Sequence, residues 1–284
     1  MARLYHPRPR TLTRPSGVIR LVALALLLGS AASATTAQQR GSGDPGAADA
    51  PGGPQGTQWG LGIGVLTKQD AYSGIERDTQ AVPLLRFENE YVEFFGLGLE
   101  LKLPSLRLGE GSEIKFGIVG EFDMGGYEAK DAPILAGMAE RKDGLWAGAK
   151  AEWETEFVSI SAQWTADASG HSKGRRFGLG LEKEWHLGEH TMLVPYVTAQ
   201  WLDKKYVDYY YGVRAAEATA GRASHVGKSG LNVDIGLRAM YQFDEHHSML
   251  LDVGITRLAK QIKASPLVDR SSTNQVILGY MYSF

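Results

Sequence analysis

The run Phe157-Val-Ser-Ile-Ser-Ala-Gln-Trp-Thr-Ala-Asp167 decides how the chain is read. One parity carries Val158, Ile160, Ala162, Trp164 and Ala166; the other carries Ser159, Ser161, Gln163, Thr165 and Asp167. A period of two is the signature of a β-strand, here with one apolar and one polar face.

Working outward, the pattern recurs. Leu231, Val233, Ile235, Leu237, Ala239 and Tyr241 oppose Asn232, Asp234, Gly236, Arg238 and Gln242. Leu145 to Trp153 alternate with Gly148, Lys150, Glu152 and Glu154, with Trp146 on the polar parity. Phe177, Leu179, Leu181 and Trp185 oppose Arg176, Gly178, Gly180, Glu182 and Glu184, and Met249 to Ile255 oppose Asp252, Gly254 and Thr256. Upstream lie Trp59 to Val65, Ala81 to Phe87, then Phe95, Leu97, Leu99 and Leu101 against Gly96, Gly98, Glu100 and Lys102, then Ile114 to Phe122. The stretch 191–201 alternates less cleanly, and a short extra strand is expected near Leu106. From Trp59 onward no apolar run reaches the roughly 18 residues that a helical span needs.

Alternation fits a soluble barrel as well as a membrane one, and three features favour the membrane. Small residues (Gly96, Gly98, Gly117, Gly148, Gly178, Gly180, Gly236, Gly254) sit on the polar parity, as a crowded polar lumen favours. Aromatics gather at strand ends: Trp59, Trp153, Phe157, Trp185 and Tyr241 at one level, Phe122, Trp164 and Trp201 at the other, like two interfacial girdles. Connections alternate too, short at Asn89-Glu90, 109–112, Thr155-Glu156, 187–190 and 244–247, mostly long at 67–79, 124–143, 168–174, 202–229 and 259–273. The expected fold is all-β: an antiparallel up-and-down transmembrane barrel of about 12 strands (roughly 10–14) in a Gram-negative outer membrane. A closed barrel satisfies every backbone group without an edge.

Composition agrees with export. The chain has 284 residues, no Cys, 35 Gly, and 30 basic against 32 acidic residues, unlike a strongly basic nucleic-acid binder. Its first 37 residues hold Arg3, Arg8, Arg10, Arg14 and Arg20 but no acid, then the apolar run Leu21–Leu28 and the small-residue sites Ala32-Ser33-Ala34 and Thr35-Thr36-Ala37. This is the order of a secretory signal peptide, cleaved after Ala34 or Ala37. Residues 38–57, rich in Gly, Pro, Ala and Asp, are expected to be a flexible linker, and 58–284 the barrel domain.

One segment carries a family likeness. Trp201-Leu-Asp-Lys-Lys-Tyr206-Val-Asp208-Tyr-Tyr-Tyr211-Gly-Val213, followed by Glu217-Ala218, resembles the MipA/OmpV family of MltA-interacting outer-membrane proteins, in which an Asp-Tyr-Tyr-Tyr-Gly-Val segment follows a Trp-ending strand. The Asp167-Ala-Ser-Gly170-His171 loop and the Gly279–Phe284 end are also similar, over roughly residues 58–284. The resemblance implies an outer-membrane barrel. One member is described as a scaffold joining a murein hydrolase to a murein synthase, and others as antigens or porin-like proteins. It brings no catalytic residues.

Other constellations are weaker. Ser169-Gly170-His171 could pair a nucleophile with a base, but a hydrolase also needs a third group to orient the base. Asp244-Glu245-His246-His247 has metal-ligand residue types but no partner cluster, and reads as a solvated turn. Gly60-Leu-Gly-Ile-Gly64 and Gly178-Leu-Gly180 lead into no helix and are not phosphate loops. No cofactor, metal or catalytic site is expected.

The polar parity carries mixed charges: Lys150, Glu152, Glu154, Arg176, Glu182, Glu184, Asp234 and Arg238, with Glu100, Lys102, Lys115, Glu121 and Asp252. They either pair and fill the lumen or line a narrow aqueous path. The segment Tyr206, Asp208, Tyr209, Tyr210 and Tyr211 is either a partner-binding patch or a loop folded over the mouth. The last strand, Val276 to Phe284, is expected to close the barrel against Trp59–Val65, with Gly279, Tyr282 and Phe284 resembling the signal read by the barrel assembly machinery. The expected function is a non-enzymatic scaffold in outer-membrane lipid that recruits murein-remodelling enzymes. A small-solute channel is the alternative, and an outer-membrane lipid hydrolase comes third.

Overall fold

The computed structural model describes residues 57–284. The expected signal peptide, 1–37, and all but the last residue of the expected linker, 38–57, lie outside the described residues. The segments are β1 (Gln58–Gln69), β2 (Asp78–Glu88), β3 (Val92–Phe95), β4 (Gly98–Gly109), β5 (Ser112–Asp123), β6 (Gly144–Thr155), β7 (Ser159–Asp167), β8 (Arg175–Glu182), β9 (Trp185–Leu187), β10 (Thr191–Leu202), β11 (Gly230–Gln242), β12 (His247–Arg257) and β13 (Ser272–Ser283). Neighbours pair antiparallel, and β13 returns to β1 from Gly60 opposite Ser283 to Gln69 opposite Asn274, so the sheet closes on itself.

Segments β8 and β9 are two halves of one wall strand. Both pair with β10 in a single register, Leu181 opposite Val197 and Trp185 opposite Leu193. The break falls at Pro195, whose carbonyl accepts the Lys183 N–H (3.2 Å) but which has no N–H to return. The wall therefore has twelve strands, as the periodicity predicts.

The apolar parity faces outward along most of the wall: Leu61, Ile63, Val65, Leu179, Leu181, Leu231, Ile235, Leu237, Val253 and Leu278 are all exposed. In water so much exposed apolar surface would drive association; in a bilayer it is the lipid contact. The short turns share one end with Gln58 and Phe284, and the long connections share the other, so by the usual barrel asymmetry the short-turn end is periplasmic.

Two details differ from the sequence reading. Residues 95–102 are not one strand, because Gly96 (φ +61) and Leu97 form a two-residue turn between β3 and β4. Register then sets Phe95 opposite Arg86 and Gly98, on the lumen parity, while Leu99 stays outward. A two-residue hairpin inverts the parity of residue number, and unbroken alternation hides that. The stretch near Leu106 is no separate strand either. It continues β4 past an irregularity between Leu103 and Leu106, where Pro104 and Ser105 interrupt the ladder.

Candidate functional site

Two regions carry the polar chemistry: the lumen and a cap of outer loops. Most of the lumen charges are met by neighbours. Lys150 Nζ lies 2.6 Å from Glu152 and 3.4 Å from Glu100. Arg176 bridges Glu121 (2.6 Å) and Asp123 (3.1 Å), and Gln163 donates to the same Glu121. Arg238 Nε is 3.5 Å from Asp252, which also accepts from Tyr196 Oη (3.2 Å). Asp234 accepts the Thr256 hydroxyl, and Lys115 meets Glu154 at 2.6 Å near the periplasmic end. Glu182 is half-buried on the lumen parity, whereas Glu184 is exposed in the break between β8 and β9.

The cap is built by the outer loops together with the short helices α1 (Lys204–Tyr211) and α2 (Lys260–Lys263). Asp203 starts α1 by accepting the Tyr206 N–H (2.8 Å), an ordinary N-cap. One buried cluster joins Tyr72, Tyr127, Ala132, Leu135, Met138, Val213 and Leu267; another joins Ala71, Leu202, Val207, Leu258, Ala259 and Ile262. Four separate connections thus share apolar cores above the barrel.

The tyrosine segment sits inside this cap. Tyr206 packs on Trp146 (centroids 5.5 Å) and on Tyr210 (4.8 Å). Tyr211 stacks on Tyr72 (5.5 Å), whose hydroxyl donates to the Tyr210 carbonyl (3.1 Å). Tyr209 Oη accepts the Lys142 N–H (2.9 Å), and exposed Asp208 accepts the Gly227 N–H (2.7 Å). Burial, the largest cause, pushes the Tyr72 and Tyr206 hydroxyls well above the usual phenol range.

Trp146 links cap to lumen. It is 0% exposed, the Arg176 guanidinium lies 4.1 Å from its ring, and its indole N–H has no partner. Its place on the polar parity, an anomaly in the sequence, is where the cap enters the barrel.

Across the cap, Arg141 and Glu217 form a buried pair at 2.9 Å. Burial pushes the Glu217 carboxyl up, but hydrogen bonds from Arg141 and from the Arg214 and Ala139 N–H groups outweigh it and hold it at about 2. Arg222 donates to the Glu217 and Ala136 carbonyls (2.6 and 3.0 Å), tying the 133–136 turn to the same core. These cap arginines were missed in the sequence, since their loops have no period to expose them.

The two sequence candidates for chemistry do not converge. Ser169 Oγ donates to Asp167 (2.5 Å), while His171 Nδ1 meets the Asp143 carbonyl (2.8 Å). His246 Nδ1 meets the Ser283 carbonyl (2.9 Å), His247 Nδ1 meets Tyr280 Oη, and Asp244 accepts the N–H groups of both histidines. Among the described residues no group of three or more His, Cys, Asp or Glu side chains is placed to hold a metal ion.

The family model for MltA-interacting protein MipA matches residues 61–284. The chain belongs to the MipA family. Among its relatives, the MltA-interacting protein of Escherichia coli K12 is 25% identical over 230 residues, covering 80% of this chain and 90% of that one. The outer membrane protein OmpV of Vibrio cholerae is 28% identical over 153 residues, 54% and 58% of the two chains. The crystal structure of the COG4313 outer membrane channel from Pseudomonas putida F1 is similar at TM-score 0.44 and 14% identity, covering 82% of this chain and 97% of that one. With its closed barrel and relatives named as outer-membrane proteins, this MipA-family chain is an outer-membrane β-barrel protein.

Proposed function

We propose that this barrel is a non-enzymatic outer-membrane scaffold that holds murein-remodelling enzymes against the membrane. The carrying observation is the match to a relative named for its interaction with MltA, over 90% of that relative's length. The packed cap and the ion-paired lumen favour holding over conducting, because charges that neutralise one another offer little to a passing ion. The divergence of Ser169 from His171 speaks against a hydrolase.

The periplasmic turns suggest the docking chemistry. Each carries an exposed carboxylate, Glu90, Glu110, Glu156, Glu189 and Glu245 in turn, an acidic rim that would steer a basic periplasmic partner. By the same reading, a leader peptide over 1–37 exports the chain, and Gly279, Tyr282 and Phe284 present the last strand to the assembly machinery. The test is binding of the purified barrel in detergent to a purified lytic transglycosylase of its own host. Saturable, salt-sensitive binding supports the reading, and no binding at low salt removes it.

A further inference from the structure

We propose that the outer rim of the wall from β8 to β12 is a docking surface for a phosphorylated glycolipid of the outer leaflet. The inference does not depend on the scaffold reading. It starts on the lipid-facing parity. Trp164, Phe177 and Trp201 share one register across β7, β8 and β10, and all three are exposed on the outside of the wall. Such rings sit at the level of the lipid headgroups. Two residues farther out on the same parity, about 7 Å along the strand, β8 begins with Arg175. On β12 the last residue, Arg257, stands two beyond outward-facing Ile255. Both arginines are exposed. The outermost outward-facing residues of β1, β2 and β13 are Gln69, Thr79 and Ser272, all uncharged.

The two short helices extend these arginines into a belt. The Asp203 N–H donates to the Arg175 carbonyl (3.1 Å), and a Cβ added at Gly174 would lie 2.9 Å from the Tyr206 nitrogen, so α1 starts against the head of β8. Its buried side is Val207 and Tyr210, and Lys204 and Lys205 are exposed. Asn232 Oδ1 accepts the Ala259 N–H (2.8 Å) and holds α2 to β11, where Lys260 and Lys263 are exposed and Ile262 is buried. Val207 and Ile262 belong to one buried cluster, so the helices are neighbours. Among the described residues none of these six cations makes an ion pair, whereas the lumen arginines Arg176 and Arg238 both do. The carboxylates beside them, Asp203 and Asp208, accept the Tyr206 and Gly227 N–H groups and are too few to balance the belt.

Position and charge define the ligand class. Cations just beyond an aromatic girdle meet the headgroup layer, whose anions are phosphates, and arginine offers phosphate a two-pronged fork. From β8 through β10 and β11 to β12 is three strand spacings, about 14 Å, too wide for a single phosphate. A lipid with two phosphates uses the whole belt, one against Arg175 and Lys204 and the other against Arg257 and Lys260. Its acyl chains then lie along Phe177, Trp201 and Ile255. The other end of the barrel has the opposite character, since its turns carry exposed carboxylates.

The test titrates fluorescent diphosphoryl lipid A into the full-length barrel in maltoside micelles. Saturable binding is expected. Arg175→Ala with Lys204→Ala, and separately Arg257→Ala with Lys260→Ala, should each weaken it about 30-fold, near fivefold for each cation removed. Arg107→Ala, at the periplasmic end of β4, should leave it unchanged, and millimolar inorganic phosphate should not compete. The proposal is overturned by absence of saturable binding, by full affinity in both double variants, by equal weakening in Arg107→Ala, by displacement with inorganic phosphate, or by equal affinity for lipid A stripped of its phosphates. If a double variant lacks heat-modifiable migration, Lys204→Gln and Lys260→Gln, both on helices outside the wall, are read by the same criteria.

Discussion

Arg141 and Glu217 meet inside the cap through three hydrogen bonds of 2.9 to 3.1 Å, two from Nη2 and one from Nη1. The two residues belong to different outer loops, so this buried pair fixes one connection to another rather than strengthening a single one. Removing one partner of a buried pair leaves an unmet charge and costs about 3–5 kcal/mol. Arg141→Ala is expected to loosen the cap while leaving the wall folded. Limited proteolysis of reconstituted protein should show faster cleavage in the 124–143 and 203–229 loops, with heat-modifiable migration unchanged.

The same pair predicts an acid response. The Glu217 carboxyl, ordinarily near 4.5, is held at about 2 in the fold. A carboxyl depressed on folding contributes stability above its ordinary value, and that contribution fades as pH falls toward the folded one. Between pH 4.5 and 2 the cap should open progressively, and Glu217→Gln should flatten that response. Hydrogen exchange at Tyr206–Tyr211 as a function of pH reads both.

Trp146 should matter more to the cap than to the barrel. Trp146→Ala removes the ring beneath Arg176 and the surface on which Tyr206 rests, and large aromatic deletions in packed sites cost about 3–5 kcal/mol. The expected outcome is greater loop proteolysis with unchanged strand content by circular dichroism. Trp146→Phe should recover most of the protection.

The last residue closes the seam. The Phe284 N–H donates to the Trp59 carbonyl (2.9 Å), and its ring meets that of Tyr282 (5.0 Å) edge-on. Deleting Phe284 is expected to lower the fraction assembled in the outer membrane. Surface levels and heat-modifiable migration equal to the full chain would count against that.

The barrel was legible because a strand with one apolar and one polar face must alternate, as Val158 to Asp167 and Leu231 to Gln242 do, and because the girdles and loop lengths then favoured the membrane. The turn between β3 and β4 was not. Phe95-Gly96-Leu97-Gly98 keeps the alternation while reversing the chain, and the positive φ at Gly96 and the pairing of Phe95 with Gly98 reveal it. The cap was partly legible, since Tyr206–Tyr211 stood out by composition, whereas Arg141 and Arg222 act through loop carbonyls that no spacing announces. Trp146 shows the converse: in the sequence it is only a break in the alternation, and the structure makes it the contact between cap and lumen.

The most direct test of the scaffold account is photocrosslinking in intact cells from the periplasmic rim, with a photoreactive residue at Glu110 or Glu156. The account predicts covalent adducts that contain a murein hydrolase or synthase. Adducts from the same positions that contain lipid or other outer-membrane barrels and no murein enzyme would contradict it.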